Sequence, residues 1–344
     1  MTGSPRVHPP VTVLGIGGYV PGVRVTNADL QRRLDTTDQW ITQRTGVRVR
    51  YHCAPGESTG DLAVEAGRRA LRHADRTAVD AVVVATTTPD HPSPATAPAV
   101  AKRLGLGTVP AFDVQAVCSG FLYAASIATS FVRSGWASTV LVVGADAFSS
   151  ILDPTDRTTA VIFGDGAGAA VIGRDGVVDE LGWGTFHLGS DGDAADWITV
   201  PGGGSRARSL PGQEFGEFFR MAGSKVFQAA VDAMTSSCRS ALRAEGWRAS
   251  DVDHVVGHQA NIRILRAVAH LLDVPESRVV VHLDRVGNTS AASIPLALTA
   301  ASPRFRAGDK ILLTAFGGGT TWGAATLVWP SRLSATTVLG DNDE

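Results

Sequence analysis

Val79-Asp80-Ala81-Val82-Val83, shortly after Ala70-Leu71-Arg72, returns as Val252-Asp253-His254-Val255-Val256 behind Ala241-Leu242-Arg243. Both stretches read as the end of a helix, a polar turn and a strand buried on both faces. Two further echoes keep the same order. Phe131-Val132-Arg133-Ser134-Gly135 is matched by Phe305-Arg306-Ala307-Gly308, and Gly168-Ala169-Ala170-Val171 by Gly323-Ala324-Ala325-Thr326. The offsets are similar without being constant (252 − 79 and 308 − 135 give 173, 323 − 168 gives 155). Three matches in one order argue for an internal duplication. The chain is expected to hold two similar α/β halves, residues 1–180 and 181–344, packed into one body.

Val140-Leu141-Val142-Val143 and Ile311-Leu312-Leu313 read as further buried strands, and 61–74, 119–134, 222–244 and 259–272 have helical apolar spacing. Cys238 falls on the apolar stripe of 222–244 with Val231, Met234 and Leu242, as a small core residue would. With 44% hydrophobic and 19% charged residues over 344 positions, the chain can bury a sizeable core. A formal charge of −2 carries no basic excess that would point to nucleic acid or an acidic membrane. Three scattered cysteines make neither a disulfide framework nor a metal site of paired ligands, and they suit a reducing compartment. No apolar run approaches membrane-helix length, and Met1–Pro10 lacks the apolar stretch of a secretory leader. A soluble, cytoplasmic protein is expected.

Two glycine-rich stretches resemble phosphate loops in spacing only. Gly15-Ile16-Gly17-Gly18 follows the strand-like Val11–Leu14, but no helix pattern follows at once. Gly164-Asp165-Gly166-Ala167-Gly168-Ala169 has the spacing, yet it runs into a strand where a pyrophosphate needs a helix N-terminus. Close backbone packing accounts for it better, and no nucleotide cofactor is expected.

Four features carry possible chemistry. Cys118 sits between the strand-like Ala111–Gln115 and a helix beginning at Ser119. There the helix dipole and free N–H groups favour a nucleophilic thiolate, the alternative being a buried structural cysteine. His258 ends a buried strand in Val255-Val256-Gly257-His258-Gln259-Ala260-Asn261, while the other eight histidines read as turn, loop or helix-surface residues. Asn288 opens a helix in Val286-Gly287-Asn288-Thr289-Ser290-Ala291-Ala292-Ser293, as an N-cap or as the counterpart of Cys118 in the second half. Ala315-Phe316-Gly317-Gly318-Gly319-Thr320 is a turn or a source of backbone N–H groups close to a substrate oxygen. Taken as a set they suit one chemistry: a thiolate takes an acyl group, and two neutral donors stabilise a thioester enolate. A carboxylate in place of Asn288 would repel that charge, and losing one such donor typically costs about 3–4 kcal/mol.

With these residues in place, the sequence resembles β-ketoacyl-acyl-carrier-protein synthase III, the priming condensing enzyme of the thiolase fold, over about residues 10–330. The matching motifs are Thr37-Asp38-Gln39-Trp40-Ile41 with Arg44-Thr45-Gly46, the Cys118 segment, Asp153-Pro154-Thr155-Asp156-Arg157 with Phe163–Gly168, His258–Asn261, Gly287–Ser290, and Phe316–Gly319 with Thr321-Trp322-Gly323. The resemblance implies two βαβαβαββ halves in a five-layer αβαβα body and a homodimer. It implies Cys118, His258 and Asn288 as the catalytic triad and the N–H groups of Cys118 and Gly318 as the oxyanion hole. Trp40 and Arg157 would sandwich the adenine of coenzyme A, with Arg44 near its phosphates. Gly223 and Ser224 would line the pantetheine tunnel, Phe316 would pack beside the thiol, and Arg263 would belong to the docking patch for an acidic carrier protein.

The chain departs from the family at Ser224, often Asn, and at Gln228, often Lys. It also has Ser93 where some members place a Phe that closes the acyl pocket from the partner subunit, which implies room for starters longer than acetyl. The reaction implied is transfer of a short acyl group from acyl-CoA to Cys118, then decarboxylative condensation with a malonyl-carrier protein, for fatty acid or type II polyketide synthesis. No cofactor or metal is implied, and neither nucleic acid nor membrane is a partner. The alternative is a thiolase-fold acyltransferase that passes the acyl group to a hydroxyl without decarboxylation.

Overall fold

The structure, a computed structural model, describes residues 10–174, 182–210 and 212–334. The expected boundary between halves, at 180/181, lies outside the described residues, as does the leader reading for all but Pro10. The strand Thr12–Tyr19 opens a five-stranded sheet in the order Thr12–Tyr19, Gly166–Gly173, Thr139–Asp146, Ala81–Ala85, Ala111–Val114. The last three run parallel, and the first two are joined antiparallel at one side. A second sheet repeats the order with Trp183–Ser190, Thr321–Val328, Lys310–Gly317 and His254–Gly257. Its fifth strand is reduced to a single parallel bridge, Val255 with Val279.

Alternation along the strands explains why their apolar runs are unbroken. Ala81, Val83 and Ala85 face one core, while Val82 and Val84 face another. Ile311 and Leu313 share the first of these cores, and Leu312 belongs to a third. The shared core holds the helices Gly120–Ser134 and Ser293–Ala301 between the two sheets. The helix Thr59–His73 covers the outer face of the first sheet, and Gly223–Glu245 with Ile262–Leu271 covers that of the second. The result is five layers, αβαβα, as the resemblance implied.

The first glycine stretch lies within a strand, and the second enters one at Gly166. Thr12–Tyr19 continues through Gly15 and Gly17 with a register shift between Val13 and Gly15, and at Gly168 an added Cβ would stand 2.7 Å from Leu296 N and 2.8 Å from Pro295 Cβ. Close packing is therefore the reason for glycine there. Three histidines expected on turns or helix surfaces, His52, His187 and His254, are in strands instead. A single histidine in a strand has no periodicity signal to give it away; His254 is held there by Asp309 at 3.2 Å.

Candidate active site

Cys118 lies in one 3₁₀ turn, Val117–Ser119, ahead of the helix Gly120–Ser134. Val117 has φ +46°, a value a β-branched residue takes only where its surroundings enforce it. The second half supplies the constraint. Ser119 Oγ donates to Thr321 O at 3.0 Å, and Thr321 Oγ1 lies 2.9 Å from Ala116 O and 3.1 Å from Gly318 O. At Gly317 an added Cβ would stand 2.8 Å from Cys118 N, so only glycine lets the strand Lys310–Gly317 end against the cysteine turn. The glycine run forms a fixed junction in which Gly317 packs on the backbone of the cysteine turn and Gly318 on Ile198.

The expected counterpart of Cys118 is corrected. The helix starts Gly120 and Ser293 are 173 residues apart, and so are the two turn residues with positive φ, Val117 and Ser290 (φ +51°). Cys118 therefore corresponds to Ala291, and Asn288 lies three residues ahead of that position. Burial opposes the thiolate that the helix start would favour. Burial, with the charge of Asp146 adding to it, pushes the Cys118 thiol up to about 12, so it is protonated at neutral pH.

His258 and Asn288 line one inner chamber of about 50 Å³ with Cys118 and Phe316. The helix expected from 259 begins only at Ile262, because Asn261 Oδ1 accepts the Arg263 N–H and caps it. His258 and Gln259 are left in a turn, where Gln259 donates to Gly257 O and Val280 O and accepts from His282 N–H and Leu283 N–H. Burial pulls His258 down to about 3, so the imidazole is neutral. Its Nδ1 is 2.6 Å from Ser293 Oγ, and the Gln259 N–H points to the same oxygen at 3.4 Å. When the Ser293 hydroxyl donates to Nδ1, Nε2 carries the ring hydrogen and is the end that faces a substrate. Asn288 is oriented likewise: its Oδ1 accepts the Ser290 N–H at 2.9 Å, which leaves its NH₂ as the free end. The site thus presents two neutral donors and a thiol in an apolar chamber walled by Phe148, Phe163 and Phe219.

An outer cavity of about 660 Å³ shares Phe163, Met221, Val226, Ala260, Ile264 and Asn288 with the chamber and leads to the surface. Its lining brings together Trp40, Arg44, Gly223, Ser224 and Arg263. The guanidinium of Arg157 sits 5.3 Å over the Trp40 ring and that of Arg44 5.7 Å from it. Arg263 lies over Phe227 at 5.3 Å, and Asn261 ties that rim to Arg44 O at 2.9 Å. Ser93 is exposed and lines neither cavity of its own chain.

The sequence reading missed Ser290, Ser293 and Asp146. The two serines follow Asn288 by two and five residues within the segment already singled out, and Asp146 ends the run that begins at Val140. A carboxylate at the end of a doubly buried strand is the signal that was available.

Residues 112–192 match the family model described as 3-oxoacyl-[acyl-carrier-protein] synthase III, and residues 242–329 match that for its C-terminal part. A Streptomyces coelicolor protein named β-ketoacyl-[acyl-carrier-protein] synthase III 5 is 56% identical over 92% of this chain and 96% of its own length. The crystal structure of 3-oxoacyl-(acyl carrier protein) synthase III from Pseudomonas aeruginosa superposes with a TM-score of 0.87 at 46% identity, covering 93% of this chain and 98% of that one. A priming β-ketosynthase from a polyketide biosynthetic pathway does so with a TM-score of 0.87 at 34% identity, over 95% of this chain and 99% of that one.

Proposed function

The chain belongs to the 3-oxoacyl-[acyl-carrier-protein] synthase III family, and from that premise we propose that Cys118, His258 and Asn288 carry its condensation of an acyl-CoA starter with a malonyl-carrier protein. The enzyme is an acyltransferase of fatty acid or polyketide starter condensation. Acyl-CoA enters with its nucleotide at Trp40, Arg44 and Arg157 and its pantetheine arm past Gly223 and Ser224. Cys118 attacks the thioester while the N–H groups of Cys118 and Gly318 hold the oxyanion. CoA leaves, and a malonyl-carrier protein docks at the rim that Arg263 marks. His258 Nε2–H and the Asn288 amide then hold the malonyl thioester oxygen as CO2 departs, and the enolate attacks the acyl-cysteine. The thioester is itself the electron sink, so this chemistry calls for no metal, flavin or nicotinamide.

The observation that carries the reading is the pair of neutral donors, each with its other end already engaged, facing one thiol in a closed apolar chamber. We infer a short starter, since about 50 Å³ beside the thiol suits a group of acetyl or propionyl size. We also infer a homodimer in which Ser93 serves the partner's chamber and leaves it room for extension. The open edge strand Ala111–Val114 supports this, as do Phe112 and the exposed Trp136, both packed on Phe131. None of the described helices is long and apolar enough to cross a membrane, and we place the enzyme in the cytoplasm with its thioester substrates.

The test is the intact mass of a malonyl-carrier protein incubated with the enzyme and competing acetyl-, propionyl-, butyryl- and isobutyryl-CoA. A β-ketoacyl mass is expected, acetyl and propionyl leading, with Ser93→Phe losing the four-carbon products first. An unchanged malonyl carrier beside an acylated Cys118 would overturn the condensation reading.

A further inference from the structure

Among the described residues Arg50 is the one fully buried arginine, and none of their ion pairs includes it. It lies in the strand Val49–His52, which pairs antiparallel with Val23–Thr26. Its guanidinium is shared between neutral acceptors. Nη1 donates to Asn27 Oδ1 at 2.7 Å, with Val25 O a longer 3.4 Å away, and Nη2 donates to Val161 O at 2.7 Å. Nε has no partner among the described residues. Burial lowers the group to about 10, so it stays charged at neutral pH. Taking a charge out of water with no opposite charge beside it is expensive, and an apolar side chain of similar volume would fill the space at less cost.

The two short hydrogen bonds lead to the two walls of the outer cavity's mouth. One arm reaches the Trp40 helix. Asn27, itself 2% exposed, gives its Nδ2 to Asp38 Oδ1 at 2.8 Å and to Val47 O at 3.0 Å. Those atoms bracket the helix Asp38–Thr45, one at its first residue and the other just past its Gly46 cap, and that helix carries Trp40 and Arg44. The other arm reaches the Arg157 turn. Val161 follows Arg157 by four residues in a run of tight turns, with Ala160 N–H on Asp156 O at 3.0 Å and Ile162 N–H on Thr159 O at 2.9 Å. Leu30, Leu34, Ile41, Ala160 and Val161 form a small core against which Trp40 packs. Apolar burial presses two walls together but has no direction, so it does not fix how they stand to each other. A planar guanidinium with its donors in a rigid fork does.

We propose that Arg50 is a positioning residue for acyl-CoA, which fixes the Trp40 helix and the Arg157 turn relative to each other from behind, so that both engage one nucleotide. This rests on the reading that the nucleotide binds at Trp40 and Arg157. Arg50 itself lines neither cavity. With both walls tied to one buried group, their ordering is settled in folding and not charged against binding, which strengthens binding without a contact to the ligand. The catalytic chamber is held separately. Gly164 and Gly287 pack on the Cβ of Arg50, where a Cβ added to either would stand 3.0 Å away, and Asn288 N–H donates to Ile162 O at 2.9 Å. A side chain that keeps the Cβ and an unbranched stem, as methionine does, leaves that seam in place.

The experiment compares acylation of Cys118 by acetyl-CoA with acylation by the acetyl thioester of N-acetylcysteamine, which has the end of the pantetheine arm but no nucleotide. For Arg50→Met the half-saturating concentration of acetyl-CoA is expected to rise about tenfold, the scale of one stacked cation contact, with the maximal rate retained. The short thioester is expected to react as it does with the wild type. Arg50→Lys keeps the charge, loses the fork, and should fall between the two. Asn27→Ala cuts only the arm to the Trp40 helix and should show the same split between the thioesters, which decides the matter if Arg50→Met does not fold. Equal losses on both thioesters, an unchanged dependence on acetyl-CoA concentration, or failure of all three variants to fold would overturn the positioning role. Trp40→Ala separates that role from the reading it rests on. If this variant keeps the wild-type preference for acetyl-CoA over the short thioester, the nucleotide site and the positioning role fall together. If it lowers the preference while the Arg50 and Asn27 variants keep it, the positioning role alone falls.

Discussion

At the scale of single residues, the site works by committing one end of each polar group and leaving the other free. Asn288 gives its oxygen to Ser290 N–H and keeps its NH₂ for the substrate. Asn288→Asp preserves that hydrogen bond but sets a carboxylate where the enolate charge must develop. Acylation of Cys118 from acyl-CoA is expected to survive, while condensation falls at least about a hundredfold, the scale of one lost oxyanion donor. Single-turnover acylation measured beside steady-state condensation checks it; equal loss in both steps would count against the enolate role. Ser293 engages the imidazole Nδ1 in the same manner, and we propose that His258 and its serine act as one donor.

At the scale of elements, two turns with positive φ, at Val117 and Ser290, bring the two halves into contact. Neither turn is held by its own half alone: Thr321 and Gly317 brace the first, and Gly144 and Asp146 meet the second at Ala291. Gly317→Ala would drive a Cβ to within 2.8 Å of Cys118 N and 2.9 Å of Ala116 O, backbone atoms that have no room to yield. The expected cost is about 1–3 kcal/mol of stability, with a larger loss of acylation because the thiol and the N–H groups proposed to hold the oxyanion shift apart. Thermal melting and the acylation burst measure the two effects, with Gly22→Ala, where a Cβ meets nothing within 4 Å, as the neutral control.

At the scale of the whole molecule, burying imidazoles makes stability depend on pH. Burial lowers His258 to about 3 and His282 to about 4 from an ordinary 6.5. Between those values and 6.5 the unfolded chain binds protons that the folded chain refuses. Their contribution is therefore complete above about pH 6.5 and declines as pH falls, by about 1.4 kcal/mol per unit for each histidine. Asp146, with its raised carboxyl, works in the opposite direction. Urea midpoints are expected to drop between pH 7 and 5, and the slope should lessen in His258→Gln; an unchanged slope would mean His258 is not buried neutral. We propose that the duplicated halves divide near 180/181, and that the open edge at Ala111–Val114 pairs with a second copy, which light scattering would read as the mass of two chains.

The repeat offset of 173, the doubly buried strands and the trio Cys118, His258 and Asn288 were legible in the sequence, because periodicity and motif spacing are properties of the chain itself. Gly168 could be assigned to packing from sequence alone, since the strand that follows it excludes a phosphate loop. Three things were decided only in the folded molecule. The Cys118 thiol is pushed up by burial, and burial is set by residues far away in the chain. The free ends of His258 and Asn288 are chosen by Ser293 and Ser290, whose hydrogen bonds depend on geometry that spacing does not report. The contact between Gly317 and Cys118 joins residues 199 positions apart, which only the packing of one half on the other could bring together.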